Sequence, residues 1–202
     1  MNRAGLNSVG TRDSLSVGAN AVIAVHRIFA VVILALLAAP SPGAAQLIDS
    51  AYTKHDYQKC KVVGDEDPVL ETLCQGYAGI PVRWLNGPDS SSIFFGDEPA
   101  PDDTYDARFT FAVVENTIEW RGPRKAGRIE PFATIVRFQL CRSIGGPCRP
   151  ELVLFRLEGT RRSCIAATLG GMRADANVRA RALADSFVRG FRCGTDTRRP
   201  PE

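Results

Sequence analysis

Glu115 and Glu119 stand closest together among the apolar-flanked carboxylates of the chain, with Trp120 beside the second. A glycosidase needs only such a pair, one acid and one carboxylate across the scissile bond, and a neighbouring aromatic ring would stack on a sugar. The opposing expectation is structural: separated by Asn116, Thr117 and Ile118, the two glutamates straddle a turn between strands and keep both head groups in water. His55 is the single histidine beyond residue 45. Any Ser-His-Asp or Cys-His mechanism would have to use it as base, yet it sits in the polar run Thr53-Lys54-His55-Asp56 and reads as a solvated side chain. Neither a G-x-S-x-G elbow nor an S-x-x-K pair occurs.

Other groupings invite chemistry and meet a simpler explanation. Asp65-Glu66-Asp67 and the stretch from Asp97 to Asp103 could offer oxygen ligands to calcium, but neither has EF-hand spacing, and solvated loops account for both. Gly145-Gly146 and Gly170-Gly171 match no phosphate-cradling motif and read as turns. Arg121, Arg124, Lys125 and Arg128 form the densest basic run, suited to an anionic envelope polymer or to a charged hairpin. Trp84, Phe94, Phe95 and Trp120 fall in or near strands that could share a sheet, where exposed aromatics would make a recognition surface. The candidate binding residues are therefore Trp84, Trp120, Arg121 and Arg124.

Six cysteines, Cys60, Cys74, Cys141, Cys148, Cys164 and Cys193, depart from an otherwise ordinary composition of 45% hydrophobic, 23% charged and 8% aromatic residues in 202. No C-x-x-C pair is present, which removes the usual zinc and thioredoxin-like arrangements, so neither a metal nor another cofactor is expected. Several disulfide connectivities are open on spacing alone. The expected set is sequential, Cys60 with Cys74, Cys141 with Cys148, and Cys164 with Cys193, the middle pair flanking the turn signal Gly145-Gly146-Pro147.

Residues 1–45 read as a leader. The apolar run from Ile28 to Ala39 is too short to span a bilayer, has His26-Arg27 before it, and is followed by Pro40, Pro42 and the small residues Gly43-Ala44-Ala45. Cleavage is expected before Gln46. The long aperiodic segment ahead of Arg27 predicts a translation start further in, for example near Val22 or Val25. All six cysteines follow the leader, which predicts an exported, periplasmic or extracellular protein held by disulfides. Once the leader is removed, basic and acidic residues nearly balance, and the basic excess of a nucleic-acid binder is missing.

The elements that must position these residues are mostly strands. Period-two alternation predicts strands at Thr72–Tyr77, Ile80–Leu85 and Ser92–Phe95, the last two joined by the turn Asn86-Gly87-Pro88-Asp89. Further strands are predicted at residues 107–114, with a short helix as the alternative there, then at Phe132–Leu140, Leu152–Glu158 and Ser163–Leu169. Between Asp175 and Phe191 the period changes to that of a helix, with Ala176, Ala180, Leu183, Phe187 and Phe191 on one stripe and Asp175 as N-cap. The fold class is α+β, an antiparallel sheet packed by one C-terminal helix, with a single globular domain over 46–194 and a disordered tail over 195–202.

The strings Tyr52 through Cys60, Cys74 through Val82, Ile118 through Arg121 and Pro131 through Ile135 give the chain a resemblance to a group of exported proteins of Gram-negative bacteria. The resemblance covers most of the chain after the leader. It implies secretion and a single domain, and it carries over no catalytic residue. The function expected is that of a non-catalytic, monomeric binding protein of the bacterial envelope, whose partner is an envelope protein or polymer. A hydrolase of envelope polysaccharide acting through Glu115 and Glu119, and a structural or stress-protective envelope protein, are the alternatives.

Overall fold

The computed structural model describes residues 47–98 and 111–200. The expected leader, residues 99–110 and the last two residues of the tail lie outside them. The described strands pair antiparallel into two sheets. In the larger, β1 (Ile48–Lys54), β6 (Ala112–Lys125), β8 (Ala133–Cys141), β9 (Cys148–Glu158) and β10 (Arg162–Gly170) lie in that order, with the short β7 (Arg128–Ile129) folded back on β6. In the smaller, β2 (Lys61–Glu66), β3 (Val69–Gln75), β4 (Pro81–Asn86) and β5 (Ser91–Phe95) are joined in sequence order.

Alternation decides which sheet face each residue serves. Val82 and Trp84 of β4 and Ile93 and Phe95 of β5 bury against Ile118 and Trp120 of β6, Val136 and Phe138 of β8, and Val153 and Phe155 of β9. The intervening residues Ala133, Ile135, Leu152 and Leu154 form a second core with Ala176, Ala180, Leu183 and Ala184 of α1 (Ala176–Ser186) and with Val188 and Phe191 beyond it. The helix stops at Ser186, five residues before the expected end, and Val188–Gly190 continue as a 3-10 turn. Asp175 does occupy the N-cap position, but its side chain makes no capping hydrogen bond. Arg173 holds that carboxylate instead, with Nε 3.0 Å from Oδ1.

Several strands exceed or escape the sequence pattern. β1 has the sequence Ile-Asp-Ser-Ala-Tyr-Thr-Lys, too polar to announce a strand, and is recruited by pairing with β6 from Ile48 opposite Pro123 to Lys54 opposite Thr117. β6 runs unbroken through Glu115 and Glu119, so the pair lies within one strand and not across a turn. Asp65 and Glu66, read as loop residues, belong to β2. Arg199 pairs in parallel with Ala167 of β10, its N–H donating to the Ala166 carbonyl at 2.9 Å, so an ordered contact reaches into the segment expected to be a disordered tail.

Two glycines sit where backbones meet. At Gly96, φ is +113° and a Cβ would fall 2.3 Å from the Arg161 carbonyl oxygen, at the corner where the chain after β5 bonds to the β9–β10 turn. At Gly122 a Cβ would lie 2.1 Å from the Glu130 carbonyl oxygen. Disulfides join Cys60 to Cys74, Cys141 to Cys148 and Cys164 to Cys193. The second links directly opposed residues of β8 and β9, and the third ties β10 to the chain beyond α1. No helix among the described residues is long and apolar enough to cross a membrane.

Candidate functional site

Along β6, Val114, Ile118 and Trp120 enter the inter-sheet core while Glu119 and Arg121 meet side chains of α1. Register shifts between Val114 and Ile118, so that residues 115–117 stand opposite Arg137 alone. The bulge leaves Glu115 and Glu119 lining the same cavity, of about 170 Å³, together with Tyr52, Arg137, Asn177 and Arg181. One concave site thus contains both carboxylates, as a hydrolase would require.

The bonding of those carboxylates argues otherwise. Glu119 is only 7% exposed. Its Oε1 accepts from Arg181 Nε at 2.7 Å and from the Ser50 hydroxyl at 2.5 Å, and Oε2 lies 3.4 Å from Arg181 Nη2. These contacts occupy the lone pairs that a nucleophile or general acid would turn toward substrate. Glu115 accepts from Gln139 Nε2 at 2.6 Å, and its other oxygen lies 4.0 Å from Arg137 Nε. Arg121 grips Asp185 in a fork, Nε to Oδ1 at 2.8 Å and Nη2 to Oδ2 at 2.6 Å, and reaches Ser50 Oγ at 3.0 Å. The hydrogen bond to Asp185 raises the pKa of Arg121 further above its usual range. Two oppositely directed ion pairs therefore bind α1 to β6, with the Ser50 hydroxyl bridging them.

A second, larger cavity of about 600 Å³ lies at the end of β1, lined by residues 54–58, Trp84 and Asn116. Its aromatic side chains are stacked, His55 on Tyr57 at 5.8 Å and 5°, and Tyr57 on Trp84 at 5.3 Å and 11°. Tyr57 is pinned by its hydroxyl, which donates to the Glu115 carbonyl at 3.0 Å, and burial pushes its pKa up. Trp84 is 8% exposed, and its indole N–H has no acceptor among the described residues. Thr53 Oγ1 accepts from Trp120 Nε1 at 2.8 Å and also lies 2.8 Å from His55 Nε2. Burial lowers the His55 pKa below its usual value. His55 is accordingly half-buried and held, unlike the freely solvated side chain its polar neighbours suggest.

The four residues nominated for binding separate in space. Trp120 is fully buried in the inter-sheet core and presents no face to a ligand. Arg121 pairs with Asp185, and the half-exposed Arg124 pairs with Asp49 through Nη2 at 2.5 Å. Trp84 alone lines a cavity large enough for a ligand. Sequence reasoning missed Ser50, Tyr57, Arg181 and Asp185, whose importance comes from contacts across more than 50 positions of chain. A partial signal existed in α1, where Arg181 and Asp185 stand four residues apart beside the apolar stripe. Among the described residues no cluster of His, Cys, Asp or Glu could hold a metal ion.

No family model matches the chain, and no curated protein or solved structure matches it either.

Proposed function

We propose that this is an exported, non-catalytic binding protein of the bacterial envelope, with the helix serving as a cover that closes one face of the larger sheet. Three disulfides support an oxidising compartment such as the periplasm or the cell exterior. The observation that carries the binding reading is the cavity over Tyr57 and Trp84. Its aromatic floor is fixed by stacking and by the Tyr57 hydroxyl, while Gln58 and Asn116 on its rim are exposed. Preformed concave sites with a few convergent polar groups are where small ligands bind. The glutamate cavity, by contrast, is small and internally satisfied.

The test is retention of the oxidised protein, residues 46–202, on sedimented Gram-negative envelope fractions. Retention should fall at least tenfold in a Gln58→Ala, Asn116→Ala double variant and stay unchanged in Glu115→Gln. Release of reducing ends from envelope polysaccharide by the wild type, lost in both Glu115→Gln and Glu119→Gln, would overturn the reading in favour of a hydrolase.

A further inference from the structure

We infer that Cys141–Cys148 is the exchangeable disulfide of this chain, a modification site at which a small anionic thiol forms a mixed disulfide with Cys148. Access separates this bond from the other two. Cys74, Cys164 and Cys193 are buried, and Cys60 packs against the inter-sheet core. Cys148 alone of the six is exposed. Both Cys141 and Cys148 line a cavity of about 630 Å³ at the turn between β8 and β9, which shares no residue with the cavity over Tyr57 and Trp84. Exchange requires a thiolate to reach a sulfur atom, so exposure decides which bond is attacked first.

Charge narrows the class of thiol. Arg142 and Arg149, each one residue beyond a half-cystine and both exposed, line the cavity, and no carboxylate among the described residues does. Arg149 Nη2 lies 3.8 Å from Oε2 of the buried Glu151, beyond hydrogen-bond reach. A thiol bearing carboxylates is therefore concentrated at the cavity and a cationic one repelled. In the first step the thiolate attacks Cys148 Sγ, the S–S bond breaks, and its electron pair leaves with Cys141 as a thiolate, which nearby guanidinium charge favours. A second thiolate attacks the reagent's sulfur in the mixed disulfide, freeing Cys148 and leaving the protein reduced by two electrons and the reagent as its own disulfide. The reverse sequence, with that disulfide as oxidant, restores the bond. The fold tolerates the cycle: β8 and β9 pair from Ala133 opposite Arg156 to Cys141 opposite Cys148, and the Cys141 N–H donates to the Phe111 carbonyl at 2.9 Å, all without the sulfurs. The two thiols thus stay opposed after reduction.

The test treats the oxidised protein, residues 46–202, with glutathione, 2-mercaptoethanol or cysteamine, an anionic, a neutral and a cationic thiol, at equal thiolate concentration and low ionic strength, followed by acid quenching, alkylation and peptide mapping. With each thiol, Cys141 and Cys148 should become alkylated about tenfold faster than the other four cysteines, while near-ultraviolet circular dichroism stays native. Glutathione should outpace cysteamine about fivefold, and that ratio should collapse in the double variant Arg142→Gln, Arg149→Gln, whose altered side chains are exposed. Oxidised glutathione should label Cys148 in Cys141→Ser faster than it labels Cys141 in Cys148→Ser. Reduction of either other disulfide at an equal rate, or loss of the native signal when Cys141–Cys148 opens, would overturn the assignment of the exchangeable bond. A glutathione-to-cysteamine ratio unchanged in the arginine variant would overturn the anionic preference, and faster labelling of Cys141 would overturn Cys148 as the modified residue.

Discussion

Cutting the ion pair between Glu119 and Arg181 is the sharpest test of how the helix is held. The Glu119 side chain is 9% exposed and that of Arg181 36%, so the pair has one buried and one half-open partner. Removing one member of a fully buried pair costs about 3–5 kcal/mol, because the remaining charge is left desolvated. Here the cost is smaller, since Arg181 is partly solvated and Ser50 still donates to Glu119. Arg181→Met, which keeps most of the apolar stem, should destabilise by about 2 kcal/mol, and Glu119→Gln, which keeps an acceptor for Ser50, by about 1 kcal/mol. The double variant should cost less than the sum, with a coupling of about 1 kcal/mol. Urea unfolding of the four oxidised proteins at pH 7, followed by tryptophan fluorescence and circular dichroism, measures the cycle. Coupling within about 0.5 kcal/mol of zero is indistinguishable from additivity and would refute the claim that this pair fastens α1 to β6.

The disulfides should rank by the loop they close. In the chain-entropy description, losing Cys164–Cys193, with its separation of 29, costs about 3.6 kcal/mol, and losing Cys141–Cys148, with its separation of 7, costs about 2.5 kcal/mol. Paired Cys→Ala variants compared by denaturant midpoint check the order, and a larger loss from the shorter loop would contradict it. Burial lowers the His55 pKa, so its neutral form contributes full stability above the ordinary value of 6.5 and loses it as pH falls below 6.5 toward the folded value. Melting temperatures of wild type and His55→Gln should therefore converge on acidification from pH 7.5 to 5, and parallel curves would show that His55 is not buried as described. Gly96→Ala combines a positive φ with an approach to backbone that cannot yield, and should cost more than about 3 kcal/mol or prevent folding. A thermal midpoint near wild type would refute that geometry.

Strands with one apolar face could be read from sequence because alternation reports burial directly. The alternation over Phe132–Leu140 predicts a strand, and in β8 Val136, Phe138 and Leu140 enter the inter-sheet core while Ala133 and Ile135 enter the other; Phe132, in phase with the first set, packs against the second core instead. β1 was invisible for the complementary reason: its residues are half-buried or exposed, and its pairing energy resides in a backbone ladder with a partner more than 60 positions away. The two glutamates were placed in the right neighbourhood but the wrong geometry. Asn116 and Thr117 signal a turn, and here they form a bulge inside β6, because pairing with β1 on one side and β8 on the other holds the strand through the irregularity. Trp120 illustrates the limit for binding sites. A tryptophan beside a carboxylate suggests an exposed platform, yet neighbours on a strand point to opposite faces, so Glu119 meets the helix while Trp120 is sealed between sheets.

That alternation in β6 has a consequence for unfolding. The same run of residues delivers Ile118 and Trp120 to one core and Glu119 and Arg121 to the helix on the other side. A slip of one residue would exchange them, driving two charges between the sheets and an indole against Arg181 and Asp185. No register of β6 shifted by one residue satisfies either side, so one strand sets the alignment of both cores. Hydrogen exchange at the most protected amides of β4 and of α1 should therefore report the same opening free energy, a single cooperative unit keyed to one strand.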